Sequence, residues 1–85
     1  MAYSVFLTAF VKKQLAKLDR QTAKRITKKL HEISVDPFLY VSKLIGQDFY
    51  KLRVGDYRVL LTIQQTKLII IVVEIRHRRN AYNNM

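Results

Sequence analysis

The hydrophobic periodicity of this 85-residue chain changes near Asp48, and that change restricts the fold more than any other feature of the sequence. Before Asp48, over residues 10–33, apolar residues recur at spacings of three and four, as on the buried side of an amphipathic helix. After Asp48, apolar and polar residues alternate, as in half-buried strands. Separate halves with these two periods predict an α+β domain, in which helices pack on one face of an antiparallel sheet.

The first half of the chain predicts one strand and two helices. Residues 3–7 favour a short strand, after which Thr8 can cap a helix over residues 10–18. A break over residues 19–21 precedes a second helix, which must end by Asp36 because Pro37 disfavours helical geometry in the residue before it. So short a join predicts an αα-hairpin. The apolar faces of the two helices are Val11, Leu15 and Leu18 in the first, and Ala23, Ile26, Leu30 and Ile33 in the second.

The second half predicts a loop and three strands. Residues 38–47 show no clean period and are interpreted as a loop with anchoring apolar residues. Strands over 49–54 and 57–64 flank Gly55-Asp56, a dipeptide typical of a type II′ hairpin turn. A three-residue loop over 65–67 leads to a largely apolar strand over 68–76, as expected for a central position covered on both sides. The predicted order is β-α-α-β-β-β, a helical hairpin packed on an antiparallel sheet, in a single domain over residues 1–85.

The charge of the chain is strongly positive, +10, with 16 Lys and Arg against 6 Asp and Glu. Self-repulsion of this size is tolerated when the partner is an anion, so nucleic acid, an anionic membrane and an acidic protein are all open. The chain contains no Cys, which excludes disulfides and thiol chemistry. Its longest apolar run, residues 68–73, is far too short to span a bilayer, and its N-terminus shows no secretory signal. We therefore expect a cytoplasmic protein.

Alternation in the predicted strands gathers positive charge on one face of the sheet. The two-residue turn pairs Arg53 with Arg58, and Lys51 shares their face. The three-residue loop pairs Arg58 with Glu74, the single acid beside them. Like charges directly opposite each other destabilise a sheet, so an anionic ligand explains the arrangement better than folding stability does. The structural alternative is a set of solvated side chains on an open sheet face.

This cationic set suits phosphoryl chemistry on RNA. The sequence has no Ser/His/Asp set, Gly-rich phosphate loop or paired carboxylates, and its scattered acids predict no metal site. RNA carries its own nucleophile, the 2′-OH, and clustered cations stabilise the dianionic transition state more than the ground state. Lys51, crowded by two Arg, is a candidate base. Phe49 and Tyr82 are candidates for stacking on splayed bases, although Tyr82 could also anchor the tail on the sheet.

Two segments, YKLRVGDYRVL over residues 50–60 and IRHRRNAY over residues 75–82, resemble the RelE toxins of the RelE/ParE superfamily. The resemblance extends over nearly the whole chain, including its length, charge and order of elements. It implies the toxin of a type II toxin–antitoxin system, which enters the ribosomal A site and cleaves mRNA without metal or cofactor, leaving a 2′,3′-cyclic phosphate. It also implies a cognate acidic, partly disordered RelB-like antitoxin that folds as it binds.

The resemblance further implies roles for individual residues. Lys51 matches the first basic residue of the active site, Arg53 the second, often Lys in the family, and Arg58 the phosphate-stabilising Arg. Arg78, or its neighbour Arg79, matches the proposed general acid; because Arg rarely gives up its proton, pure charge stabilisation is an equal alternative. The predicted catalytic set is Lys51, Arg53, Arg58, Arg78 and Tyr82, the last matching a C-terminal Tyr that contacts the nucleotide. The predicted RNA-binding set is Phe49, Arg76, His77 and Arg79.

Two other functions are compatible with the sequence. One is a ParE-like inhibitor of DNA gyrase that cuts no RNA, and the other is a non-catalytic RNA-binding module. The combination of a terminal Tyr with a basic set on the sheet favours the nuclease. The two departures from the family pattern, Arg53 in place of Lys and a short spacing from Arg78 to Tyr82, leave room for weakened activity.

Overall fold

The computed structural model describes residues 2–78, which form a five-stranded sheet with two helices on one face. The order of strands across the sheet is β1-β5-β4-β3-β2. This architecture confirms the predicted α+β fold. In the part of the chain that the structure describes, no helix is long and apolar enough to cross a membrane. The elements are β1 Ser4–Leu7, α1 Ala9–Lys17, α2 Arg20–Ile33, a 3₁₀ turn Pro37–Leu39, β2 Val41–Lys43, β3 Tyr50–Val54, β4 Tyr57–Gln64 and β5 Ile69–His77.

Each helix of the hairpin begins at a side-chain cap. The Thr8 hydroxyl oxygen accepts a hydrogen bond from Val11 N at 3.2 Å, as the sequence predicted. Asp19 caps α2, since its carboxylate accepts from the hydroxyl of Thr22 at 2.6 Å and from Thr22 N at 3.0 Å. These two hydrogen bonds lower the pKa of Asp19. Only two residues join α1 to α2, which confirms the αα-hairpin.

The core lies between the helices and one face of the sheet. The predicted apolar faces are confirmed, because Val11 of α1 and Ile26 of α2 are completely buried, while Leu15 and Leu18 pack half-buried at the margin. The sheet contributes alternate residues of its central strands, as period-two alternation requires, except in β5, where Val72 and Ile75 are three residues apart. These buried sheet residues are Leu52, Val54, Val59, Leu61, Ile70, Val72 and Ile75.

The two edges of the sheet differ in detail from the sequence prediction. β1 runs parallel to β5, with Ser4 opposite Ile69, so the sheet is mixed. Hairpin turns specify pairing only between consecutive strands, and no turn joins β1 to β5. The other edge is β2, which pairs antiparallel with β3 inside the segment interpreted as a loop. A strand of three residues is too short for a period to show.

The loop between β4 and β5 is one residue longer than predicted. Gln64 pairs with Ile69 rather than with Leu68, so four residues form the connection. Leu68 closes this loop with φ at 54°, in the left-handed region that non-glycine residues seldom adopt. Sequence gives no sign of this conformation, because left-handed positions are usually occupied by Gly, Asn or Asp.

A β-bulge in β5 shifts the register by one further residue. Leu60 pairs with Glu74, whereas Leu61 pairs with Val72. Val73 is therefore the extra residue of β5, with no partner in β4. Together with the longer loop, the bulge moves the pairing by two positions. Arg58 therefore lies opposite Arg76, not opposite Glu74 as the sequence predicted. Beyond the bulge the shift of two keeps the partner of Arg58 on the predicted face, whereas the shift of one before the bulge puts Ile70 and Val72 on the core face.

Gln14 of α1 continues the hydrogen bonding of the sheet beyond the end of β1. Its Nε2 donates to Ile75 O at 2.7 Å, and its Oε1 accepts from Ile75 N at 2.7 Å. β1 pairs with β5 only as far as Val72, so this stretch of β5 has no neighbouring strand on that side. The carboxamide thus takes the place of a strand and holds α1 against the sheet.

Candidate functional site

The face of the sheet turned away from the helices carries a row of three arginines. Arg53 of β3 lies opposite Arg58 of β4, which in turn lies opposite Arg76 of β5. Lys51 shares this face, two residues along β3 and opposite Leu60. Directly opposed like charges destabilise a sheet, so the row is a cost to folding rather than a contribution to it.

The turn between β3 and β4 determines that these arginines meet. Gly55 takes φ at 57°, while Asp56 after it stays outside the positive-φ region, as a type II′ turn requires. This two-residue turn sets Val54 opposite Tyr57 and thereby Arg53 opposite Arg58. The sequence therefore predicted this half of the row correctly from the dipeptide alone.

A concave pocket of about 290 Å³ lies beside the row. Lys51 and Arg58 are half-buried there, whereas Arg53 is exposed. The hydroxyl-bearing Ser42 of β2 pairs with Lys51 across the strands. A half-buried cluster of cations with hydroxyl groups at its rim can bind a phosphate and neutralise its charge. We call it the cationic pocket, and its lining residues are Tyr40, Ser42, Lys51, Arg53 and Arg58.

Glu74 balances one end of the arginine row. Arg76 Nε donates to Glu74 Oε2 at 2.6 Å, and Arg76 Nη2 lies 3.4 Å from Glu74 Oε1. The hydrogen bond to Glu74 raises the pKa of Arg76, so this guanidinium keeps its charge while that charge is locally compensated. The carboxylate of Glu74 is thus engaged at the Arg76 end of the row, and Arg76 is not among the residues that line the cationic pocket.

Arg78 lies at the same end of the sheet as the row. Its backbone N donates to Asp56 O at 2.7 Å, which continues the β4–β5 pairing past the end of β5 and places Arg78 beside the hairpin turn. Its side chain is exposed. Five of the predicted site residues thus occupy one region of the molecule, namely Lys51, Arg53, Arg58, Arg76 and Arg78.

Two predicted RNA-binding residues do not join this region. His77 is still part of β5, so alternation turns it to the helix side, where its ring makes an edge contact with Tyr57 at 4.9 Å between centroids. Phe49 precedes β3, where its carbonyl accepts from Leu44 N at 2.9 Å, and it does not line the cationic pocket. The sequence predicted that this strand ends at residue 76, but the strand extends through His77. Arg79 and Tyr82 lie outside the residues that the structure describes.

Tyr40 is a pocket residue that the sequence analysis missed. Its side chain is 40% exposed, and Lys29 Nζ lies 4.9 Å from the centre of its ring. An exposed aromatic ring beside a cationic pocket can stack on a nucleic-acid base. Residues 38–47 have no period from which a face could be assigned, so only the pairing of β2 with β3 reveals this position. Among residues 2–78, no three His, Asp or Glu side chains are grouped to hold a metal ion.

Comparison with protein families decides the relationship of this chain. A family model described as the ParE toxin of the type II toxin–antitoxin system parDE matches residues 5–82. The chain belongs to the RelE/ParE toxin superfamily. It is therefore a toxin of the type II toxin–antitoxin class. No curated protein sequence matches it significantly.

Solved structures of RelE toxins share the fold of this superfamily member. A RelE–RelB complex of Pyrococcus horikoshii is 27% identical with a TM-score of 0.78, covering 92% of this chain and 97% of its own. A free mutant of the E. coli toxin RelE is 26% identical with a TM-score of 0.76, covering 100% and 99%. A RelBE complex of Mycobacterium tuberculosis, 21% identical, has a TM-score of 0.84 and covers 92% and 100%; at that identity the likeness concerns the fold alone.

Proposed function

We propose that this toxin is a ribosome-dependent endoribonuclease that cleaves mRNA in the ribosomal A site and thereby inhibits translation. The observation that carries the proposal is the row of Arg53, Arg58 and Arg76 beside Lys51 on the open face of the sheet. Folding disfavours such a row, whereas a phosphodiester that gains negative charge as it reacts favours it. The RelE-like fold supports the same activity, because members with this fold are ribonucleases.

The reaction requires no nucleophile from the protein. The 2′-oxygen of the RNA forms a bond to the adjacent phosphorus, the bond from phosphorus to the 5′-oxygen breaks, and a 2′,3′-cyclic phosphate results. Lys51 is the proposed base that accepts the proton of the 2′-OH, and Arg53 and Arg58 stabilise the dianionic phosphorane. Arg78 either supplies a proton to the leaving 5′-oxygen or stabilises its charge, and Arg79 is the alternative for this role. No metal or cofactor enters this scheme.

Aromatic residues would hold the substrate bases. Tyr82 keeps its proposed role of contacting the nucleotide, and Tyr40 at the rim of the cationic pocket is a second candidate for stacking. Among the proposed RNA contacts, Arg76 lies within the arginine row. The position of His77 on the helix side gives no support to a direct RNA contact, nor does the position of Phe49 outside the pocket.

The proposed partners are the ribosome with its mRNA and an acidic RelB-like antitoxin. Relatives from Pyrococcus horikoshii and E. coli were crystallised as complexes with RelB. A chain of net charge +10 suits an acidic partner that covers the cationic face. Such pairs act where translation occurs, so we place this toxin in the cytoplasm, with no membrane partner.

The proposal is tested by incubating the purified toxin with a ribosome complex whose A site holds a defined codon. Reading the 3′ ends of the mRNA should reveal a cut in the A site and a terminus that carries a 2′,3′-cyclic phosphate. Arg58→Ala serves as the inactive comparison and Lys67→Ala, which removes an exposed charge from the distant β4–β5 loop, as the matched control. Intact mRNA with the unmodified toxin would reject the nuclease.

A ParE-like inhibition of DNA gyrase is the second candidate, because the matching family model bears the ParE description. It predicts supercoiling defects without mRNA cleavage, which a gyrase assay on relaxed plasmid distinguishes. A non-catalytic RNA-binding module is the third, and it predicts salt-dependent RNA binding without a cyclic-phosphate product.

A further inference from the structure

A second basic pocket adjoins the cationic pocket around the end of β3. It lies between α2 and the β3–β4 turn and has a volume of about 380 Å³. Arg53 lines both pockets, so the positive surface continues from the open face of the sheet to the helix. We call it the α2 pocket, and its lining residues are Arg25, Lys28, Lys29, Glu32, Arg53, Val54 and Gly55.

The α2 pocket has more positive charge than its own acid can compensate. Glu32 is 3.4 Å from Lys29, which also lies over the ring of Tyr40. Arg25 and Lys28 are exposed, and within residues 2–78 neither forms an ion pair. The pocket therefore offers two cations that no side chain of the described chain neutralises.

Arg25 is held close to the hairpin turn. A Cβ atom at Gly55 would lie only 2.7 Å from Arg25 Nη2, so the absence of a side chain at Gly55 lets the guanidinium approach the backbone. The turn thus sets Arg53 opposite Arg58 and also provides the space that Arg25 occupies. This shared element ties the geometry of the α2 pocket to that of the cationic pocket.

The lining favours a phosphodiester over an acidic protein segment. An amphipathic peptide anchors itself through apolar side chains, and the one apolar side chain in this lining, Val54, is only 9% exposed. A nucleic-acid strand instead presents one phosphate per nucleotide, and Lys and Arg contact such phosphates without apolar anchors. A strand bound in the cationic pocket would reach the α2 pocket across the shared Arg53.

We propose that the α2 pocket binds a phosphate next to the cleavage site in the same RNA strand, with Arg25 and Lys28 as its contacts. The proposal rests on the proposed endoribonuclease function and extends it, because it assigns a substrate-positioning role to α2. The toxin would then recognise at least two successive parts of the RNA backbone rather than the scissile phosphate alone.

The test measures binding of 2′-O-methyl RNA, which lacks the attacking hydroxyl, by fluorescence anisotropy with strands lengthened from a dinucleotide upward. The unmodified toxin should gain affinity once the strand is long enough to reach the α2 pocket. The double variant Arg25→Ala/Lys28→Ala should lose that gain, which we expect to be about tenfold in Kd. The slope of log K against log salt concentration should become shallower by roughly 0.7 for each phosphate contact that is lost. Lys28→Ala alone is included because Arg25 contacts the turn. Lys12→Ala/Lys13→Ala removes two exposed charges from α1 and should keep the gain.

Three outcomes would overturn the inference, and the ribosome assay described above judges the proposed function separately. If the unmodified toxin gains no affinity as the strand lengthens, the α2 pocket binds no neighbouring phosphate, whereas the nuclease proposal stands or falls on mRNA cleavage in the programmed ribosome. If Arg58→Ala weakens binding but the α2 variant matches the α1 control, the α2 pocket has no role and the nuclease proposal stands. If the α2 variant keeps RNA affinity but loses affinity for poly-glutamate, the pocket is a protein-binding surface.

Discussion

The two faces of the sheet use the same strands for opposite purposes. On the helix side, β4 presents Val59 and Leu61, both fully buried in the core. On the open side, the same strand presents Arg58 between two further arginines. Burial of apolar surface on the first face stabilises the fold, whereas repulsion between like charges on the second face destabilises it. Substitutions at neighbouring positions of the strand should therefore have different effects, one on folding stability and the next on ligand binding.

Replacing Arg58 should give the largest effect, and it should act on activity alone. Arg58→Ala removes a cation aimed at the developing charge, so we expect mRNA cleavage to fall on the order of 100-fold to 1000-fold. Circular dichroism should stay unchanged, because the side chain lies outside the core. Growth arrest by Arg58→Ala equal to that by Lys67→Ala would contradict the assignment of this face to the substrate.

Leu61→Ala tests the opposite face three residues further along β4. It leaves a cavity where a fully buried side chain stood, and we expect a loss of about 2–5 kcal/mol in the free energy of unfolding. Urea denaturation measures this loss. At a temperature where the variant is still folded, its cleavage rate per folded molecule should match that of the unmodified toxin. A selective loss of activity would show that the two faces are coupled.

Gln14→Ala tests how firmly the helix layer is attached to β5. It removes both hydrogen bonds to Ile75 and leaves that backbone short of partners, so we expect a loss of roughly 1–3 kcal/mol in the free energy of unfolding. Gln21→Ala on exposed α2 surface is the matched control and should change little. Equal stability of the two variants would mean that solvent replaces the Gln14 carboxamide without cost.

Glu74→Gln should produce the smallest effect, with opposite signs for stability and binding. The variant loses an exposed ion pair to Arg76, which is worth less than about 1 kcal/mol. It also removes one negative charge beside the arginine row, so RNA affinity at low salt should rise. Asp48→Asn makes the same charge change in an exposed loop and should raise affinity less. Lower RNA affinity in Glu74→Gln would show that this carboxylate positions Arg76 for the substrate.

Local patterns in the sequence predicted most of the fold and the centre of the candidate site. Helical spacing identified Ile26 and Leu30 as core residues, and the Gly55-Asp56 turn paired Arg53 with Arg58. These features depend on residues close in the chain, where periodicity and turn chemistry apply directly.

Features set by tertiary contacts were not predictable in the same way. The longer β4–β5 loop and the bulge at Val73 together changed the partner of Arg58, and the extension of β5 turned His77 to the helix side. The position of Tyr40 depends on β2, whose three residues carry no period. In each case the position depends on pairing with another strand, and local sequence patterns do not predict that pairing.

The parallel pairing of β1 with β5 implies an order of events in folding. Ser4 meets Ile69 only after nearly the whole chain is available, and closing so long a loop is slow relative to forming hairpins. The β3–β4–β5 meander, by contrast, is built from consecutive strands and already contains the complete arginine row. During synthesis the backbone groups of β1 therefore have no partner strand until β5 has left the ribosome. The charged surface can thus assemble before the N-terminal segment docks, which makes that docking the expected last step to the native state.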